Sequence, residues 1–195
     1  MRNLNNTNQI GKFLIASLSI SFSLNLTGCV MQEKIMKPAE EPKPSVKQVD
    51  LQRYAGRWYE IAAYPNRFER GCECSRADYS PEKDYIKVVN SCLKGENHKL
   101  STATGKAFIV PNTGNTQLKV QFFWPFKGDY WILSLDPDYK VSLVGSPDRQ
   151  YLWILARDRQ IPEKTLIEFK ETAKALGFDP DQLKMTEQRT PPCLP

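Results

Sequence analysis

Short segments in which polar and apolar residues alternate at period two recur along the second half of the sequence and the stretch just before it. They constrain the fold more than any other feature. Ser75-Arg76-Ala77-Asp78-Tyr79, Ile86-Lys87-Val88-Val89-Asn90 and Leu118-Lys119-Val120-Gln121-Phe122 each read as a strand with one wet and one dry face. Turn chemistry separates the strands: Pro81–Asp84, Pro111–Asn115, Lys127-Gly128-Asp129, Asp136-Pro137-Asp138 and Pro147-Asp148-Arg149. Strands recurring at intervals of about ten residues predict a sandwich or an up-and-down barrel. After Arg157 the period changes. Pro162 suits a first helical turn, Leu166, Phe169, Ala173 and Leu176 share one helical face, and Gly177 ends it. Lys184–Gln188 can add a last short strand. At 195 residues and 41% hydrophobic content, the chain has material for one core.

The beginning of the chain is of another kind. Arg2 and Lys12 precede an apolar, hydroxyl-rich run, Phe13–Leu26, which ends in Leu26-Thr27-Gly28-Cys29. A basic start and a short apolar stretch read as a secretory signal peptide, and the run falls short of the roughly 20 residues of a spanning helix. Leu-x-Gly-Cys resembles the bacterial lipobox, which implies cleavage after residue 28 and acylation of Cys29. Val30 stands where an Asp would resemble an inner-membrane retention signal, which implies outer-membrane sorting. Residues 29–48 carry Pro38, Pro42 and Pro44 among Lys and Glu and read as an extended tether. The expected division is a signal peptide over 1–28, a lipidated tether over 29–48 and a folded domain over 49–195.

Composition narrows the chemistry. The net charge is +5 and the basic residues are dispersed, so no nucleic-acid partner is indicated. The one histidine, His98, rules out His-rich metal sites and bis-histidine haem. Besides Cys29 there are Cys72, Cys74, Cys92 and Cys193, an even number that suits two disulfides in an exported chain; four cysteines allow three pairings. Cys72-x-Cys74 lacks the spacing of a metal site, and none is assigned. No cofactor is expected.

Gly56-Arg57-Trp58-Tyr59 opens the first strand, Ser146–Tyr151 links two late strands, and Arg157 ends the last. With Phe68-Glu69-Arg70-Gly71, Gly105-Lys106-Ala107, Leu118-Lys119-Val120 and Tyr151–Arg157, these resemble the lipocalin family over roughly residues 48–190, and its bacterial outer-membrane, apolipoprotein D-like branch in particular. The resemblance implies an all-β fold, an eight-stranded antiparallel up-and-down barrel with one C-terminal helix packed outside. It assigns Gly56, Trp58 and Arg157 a structural role, with Trp58 plugging the narrow end and Arg157 stacking on its indole. By likeness to apolipoprotein D it implies the disulfide Cys74–Cys193, leaving Cys72–Cys92. Strict alternation puts Cys92 on the lumen side and Cys72 outside, so the second pair requires a bulge or a frayed strand end.

Strand phase gives the expected lumen: Glu60, Ala62, Ala77, Tyr79, Val88, Ala107, Ile109, Val120, Phe122, Tyr130, Ile132, Ser134 and Trp153. A barrel of this size is either filled or hollow; small residues at Ala62, Ala77, Ala107 and Ser134 among aromatics favour hollow. Such a lumen suits a fatty acid or lysophospholipid, with Arg67 and Lys127 as candidate rim cations. The expectation is a non-enzymatic carrier or store in the outer membrane, its domain facing the periplasm; a homodimer is compatible with the resemblance. The alternatives are an enzyme using a cysteine or a carboxylate, and a structural envelope protein with a filled barrel. An acid-base pair on Glu60 would need a second inward acid, and the sequence pattern offers none.

Overall fold

In the computed structural model, residues 40–189 and residue 193 are described. The predicted signal peptide and the lipidation site, Cys29, lie outside the described residues.

A one-turn helix, α1 (Leu51–Tyr54), precedes eight strands: β1 (Gly56–Ala63), β2 (Cys72–Pro81), β3 (Ile86–Lys94), β4 (Lys99–Ile109), β5 (Gln117–Phe123), β6 (Phe126–Leu135), β7 (Val141–Gly145) and β8 (Leu152–Ala156). Helix α2 (Glu163–Ala175), a 3-10 turn at Pro180–Gln182 and the two-residue strand β9 (Lys184–Met185) follow. Every neighbouring pair is antiparallel, and β1 pairs with both β8 and β2, which closes the sheet into an eight-stranded barrel with β9 added on β1. Closure removes the exposed edges of an open sheet. The turn expected at Lys127–Asp129 lies one step earlier, at Trp124-Pro125, and Gly128 sits inside β6 opposite Val120. Proline has no amide hydrogen for a ladder bond, so the chain reverses there.

Two clusters of buried side chains lie on the two faces of the sheet. Outside, Phe169 and Ala173 of α2 pack on Leu133, Leu143, Leu152 and Ile154, with Leu166 and Leu176 at the margin. Inside, Trp58, Ala77, Tyr79, Val88, Ala107, Leu118, Ile132, Val144 and Leu155 pack together. Strand β7 is buried on both faces, and its five residues, Val141–Gly145, carry no polar alternation at their apolar ends.

The narrow end is sealed by α1. Asp50 caps the helix, its carboxylate accepting from the amides of Gln52 and Arg53. Trp58 is fully buried and donates its indole N–H to the Tyr54 carbonyl at 2.7 Å. The Arg157 guanidinium lies 3.9 Å from the centre of the Trp58 ring. It also donates to the carbonyls of Arg53, Tyr54, Arg57 and Tyr139, at 2.7–3.2 Å. Arg157 thus satisfies the carbonyls left open at the end of a one-turn helix while covering the indole. Gly56 enters β1 at φ +92°, in the left-handed region, with the Arg157 guanidinium directly beyond its α-carbon.

The segment read as a tether is a strap from Glu40 onward. Pro42 is buried and Val46 packs against the inner cluster. Ser45 donates both its amide (2.7 Å) and its hydroxyl (3.0 Å) to the Leu133 carbonyl. The register of β6 on β7 shifts between Ile132 and Ser134, which leaves that carbonyl available to an outside donor.

The C-terminal segment completes the wall. Strands β1 and β2 pair only over Gly56–Tyr59. Above that, β9 lies on Ala62 and Ala63, and the Gln188 amide bridges the carbonyls of Glu60 (3.0 Å) and Ser75 (2.7 Å). The Cys74 amide donates to the Glu187 carbonyl, and Cys74 is disulfide-bonded to Cys193. Cys72 is bonded to Cys92. The β2–β3 register shifts between Glu73 and Arg76, where Cys74 has φ +57°; the bulge the second pair requires is present.

Candidate functional site

The barrel interior is two regions in one enclosure. At the floor, Trp58, Ala107, Leu118, Ile132 and Val144 have at most 1% of their surface exposed. Towards the other end, Val120, Phe122, Tyr130 and Trp153 still pack against the inner cluster but are only half-buried. The inner face of β4 explains part of the difference. Ala107 pairs with Val120 and faces inward, and unbroken β3–β4 register carries that face through Gly105 and Ala103 to Ser101. Ala103 is exposed although it belongs to the inner face. Gly105 is required by its neighbour: a β-carbon there would lie 2.8 Å from the Phe122 ring, which crosses over it.

Most of the expected lumen residues take the inner face: Glu60, Ala77, Tyr79, Val88, Ala107, Val120, Phe122, Tyr130, Ile132 and Trp153. Three do not. Ala62 belongs to the outer cluster under α2, because the β1–β8 register shifts between Glu60 and Ala62 and reverses the faces above it. Ser134 pairs with Leu143 of the outer cluster, because the Ile132–Ser134 shift does the same in β6, and Leu135 takes the inner side instead. Ile109 ends β4 and is 46% exposed, beyond the enclosed part of the wall. Alternation missed Val144 and Ser142 of β7, since a strand buried on both faces gives no period-two signal.

At the open end, the β1–β2 loop reaches across to β8. Glu69 accepts from the Trp153 indole N–H at 3.2 and 3.3 Å and from the Asn66 amide. Trp153 stacks on Tyr151 with ring centres 5.7 Å apart, and Phe68 lies 6.2 Å beyond. Glu69 also interacts with Glu60, so the second inward acid exists and comes from a loop, where periodicity carries no information. Burial, then the neighbouring Glu69, push the Glu60 carboxyl up to about 8, opposed by the Thr186 hydroxyl that donates to it at 2.5 Å. Of the candidate rim cations, Arg67 lies over Phe68 of this loop and Lys127 over Phe108, which faces outward. The tip of the β5–β6 hairpin exposes Phe123, Trp124 and Phe126.

Deeper inside, the hydroxyls of Tyr54, Tyr79 and Tyr130 meet. Tyr130 lies 2.9 Å from each of the other two, and Tyr54 is 3.2 Å from Ser142. Burial raises all three phenols, so they stand as neutral hydroxyls.

The sequence raised a cysteine and a carboxylate as routes to catalysis, and the carboxylates are the Glu60–Glu69 pair. Cys72, Cys74, Cys92 and Cys193 are all in disulfides, which leaves no free thiol among the described residues. His98 sits at the exposed β3–β4 turn, 3.3 Å from the Glu73 carboxylate.

Residues 49–188 match the model of a lipocalin-like domain. The chain is 40% identical over 159 residues to temperature-induced lipocalin-1 of Arabidopsis thaliana, covering 75% of this chain and 84% of that one. It is 38% identical over 144 residues to the outer membrane lipoprotein Blc of Escherichia coli K12, covering 73% and 81%. It is 34% identical over 157 residues to apolipoprotein D of Macaca fascicularis, covering 76% and 82%. Among solved structures, insecticyanin from the tobacco hornworm Manduca sexta superposes with a TM-score of 0.64 at 20% identity, covering 80% of this chain and 88% of that one.

Proposed function

The chain belongs to the lipocalin family, and from that premise we propose that it is an outer-membrane lipoprotein whose barrel holds one fatty acid or lysophospholipid, for storage or transport. The observation that carries the ligand reading is the contrast inside the barrel. Side chains that face inward and pack on the inner cluster, Val120, Phe122 and Trp153, are left half-buried above a sealed floor. Half-buried inward aromatics beside the small inner residues Ala103 and Gly105 are the lining of a site that takes an acyl chain. The wall around them is mainly apolar, with Asn90 beside Ala103 and Glu69 on Trp153 among its polar members, so the hydrophobic effect supplies most of the affinity, at roughly 0.8 kcal/mol per buried methylene.

The membrane reading rests on Leu26-Thr27-Gly28-Cys29 and on the likeness to Blc, an outer membrane lipoprotein. Acyl chains on Cys29 anchor the protein, and the domain stands on the periplasmic side. It acts by binding: its described cysteines hold the wall together, and the Glu60 carboxyl is hydrogen-bonded to Thr186 within that wall.

Native mass spectrometry of the delipidated protein with added palmitic acid or lysophosphatidylcholine tests the ligand. One bound lipid per chain is expected; a spectrum without a lipid adduct at any excess overturns the reading. For the anchor, Cys29→Ala should leave the outer-membrane fraction. Retention of that variant through carbonate washing would overturn lipidation as the attachment.

A further inference from the structure

The tyrosine trio joins three hydroxyls of the inner cluster that take no part in the Trp58–Arg157 stack or the Gln188 bridge. Tyr54 comes from α1, Tyr79 from β2 and Tyr130 from β6, three elements far apart in sequence. Their hydroxyls form a chain, Ser142–Tyr54–Tyr130–Tyr79, with O···O separations of 3.2, 2.9 and 2.9 Å. At its far end the Ser142 hydroxyl lies 3.5 Å from the Ser134 carbonyl.

The proton count of this chain is open at one end. Four hydroxyls carry four protons for three contacts between them. If the chain points towards the Ser134 carbonyl, the Tyr79 oxygen keeps lone pairs for an outside donor. If it points the other way, the Tyr79 hydroxyl donates outward. Either polarity leaves the Tyr79 hydroxyl able to take one more hydrogen bond, as acceptor or as donor, with no partner for it among the described residues. The side chains that pack around the trio are apolar, and two charged side chains act on its ends: the Glu69 carboxylate on Tyr79 and the Arg157 guanidinium on Tyr54. Arg157 lies behind Trp58, bonded to four carbonyls. Tyr130 is half-buried and Tyr79 is 5% exposed behind it, so an occupant descending past Phe122 and Trp153 meets the trio at Tyr130 and reaches the Tyr79 hydroxyl beside it.

We propose that the Tyr54–Tyr79–Tyr130 hydroxyls seat the uncharged polar end of the occupant, so that a single-chain lipid ending in a hydroxyl or a protonated carboxylic acid lies polar end down, with its chain running towards the rim. A group that is donor and acceptor at once matches either polarity of the chain. A phosphodiester does not: it brings a fixed charge to a place whose nearest cation, Arg157, is already committed to four carbonyls behind Trp58, at a desolvation cost the site does not offset. This inference rests on the lumen's holding a single-chain lipid, and it selects within that class.

The test titrates the delipidated full chain with four probes of one length: 1-dodecanol, dodecanoic acid, methyl dodecanoate and dodecyl lysophosphatidylcholine. Dodecanol and dodecanoic acid should bind most tightly, and binding of the acid alone should strengthen as pH falls. Tyr79→Phe and Tyr130→Phe keep the rings and remove the hydroxyls. Each should weaken dodecanol and dodecanoic acid by about threefold to tenfold, the effect of one lost hydrogen bond, and leave the lysophospholipid unchanged. Orientation has its own readout without touching the trio. Dodecanol brominated at its terminal carbon should quench Trp153 emission, and the quenching should vanish in Trp153→Phe. Equal affinities in the Phe variants, or bromine quenching that survives Trp153→Phe, would overturn the seat while leaving lipid binding intact. Failure of all four probes to bind wild-type protein would instead overturn the lipid-carrier reading beneath it.

Discussion

The floor and the rim of this barrel are built from the same strands and the same kinds of residue, yet one is core and the other is surface turned inward. Floor residues come from elements that converge on α1 and its Trp58–Arg157 stack, so each apolar side chain there meets partners on all sides. Rim residues are left half-buried beside the small residues of β4 and near a loop tied to β8 by the Glu69–Trp153 hydrogen bond. The difference is one of packing density, and it separates what the protein needs for stability from what it has available for binding.

The sharpest way to break this contrast is at the plug. Trp58→Ala should cost roughly 3–5 kcal/mol as a large core truncation, read as a lowered urea midpoint with an unchanged slope. A midpoint like that of wild type would mean the floor is not core. Next in size is a matched pair on the inner face of β4. Ala107→Trp enters the packed floor and should destabilise by roughly 1–3 kcal/mol or more. Ala103→Trp enters the open half; it should leave the midpoint nearly unchanged and weaken lipid binding at least tenfold by displacing the ligand. If the two substitutions behave alike in both measurements, the interior is uniform and the division fails.

Glu60 gives the contrast a pH dependence. Its folded carboxyl is raised to about 8, chiefly by burial and then by Glu69, whereas the unfolded group titrates near the ordinary value of about 4.3. Between these values the folded state holds a proton that the unfolded state releases. This part of the stability is therefore fully present below the unfolded pKa, declines as pH rises through the window and levels off above about 8. Glu60→Gln keeps the neutral hydrogen-bonding shape, so it should raise Tm by several degrees at pH 8 and change it little at pH 4. A Tm difference that is flat with pH would place Glu60 in contact with water. The smallest effect is expected at the outermost aromatic. Trp124→Ser should move stability by no more than about 0.5 kcal/mol, while removing the emission component most accessible to acrylamide, since Trp124 is 86% exposed.

The legibility of the sequence follows the same geometry. Where register runs unbroken, through β3, β4 and the lower part of β2, alternation alone puts Ala77, Tyr79, Val88 and Ala107 on the inner face. It fails at Ala62 and Ser134, because a bulge adds one residue to one strand and leaves no mark in hydrophobicity. Ile109 fails for another reason: correct parity does not enclose a residue at the end of its strand. Glu69 is invisible to periodicity because a loop delivers it, and Ser142 because α2 dries the outer face of β7. The strap from Glu40 is hidden too, since its prolines read as a free extended chain until a bulged strand offers it a carbonyl. Family resemblance supplied what periodicity could not, namely the roles of Gly56, Trp58 and Arg157.

The Gln188 bridge has a consequence in time as well as in space. It joins the carbonyls of Glu60 and Ser75 from the last few residues of a 195-residue chain. A chain that emerges from its amino end therefore presents β1 and β2 long before it can present the residue that bridges their upper halves. Closing that seam requires contacts across more than half the sequence, the kind of non-local pairing that slows folding. Until the carboxyl end arrives, the upper edges of β1 and β2 hold unpaired amides and carbonyls, so a truncation before Gln188 should yield a barrel prone to pair with other chains.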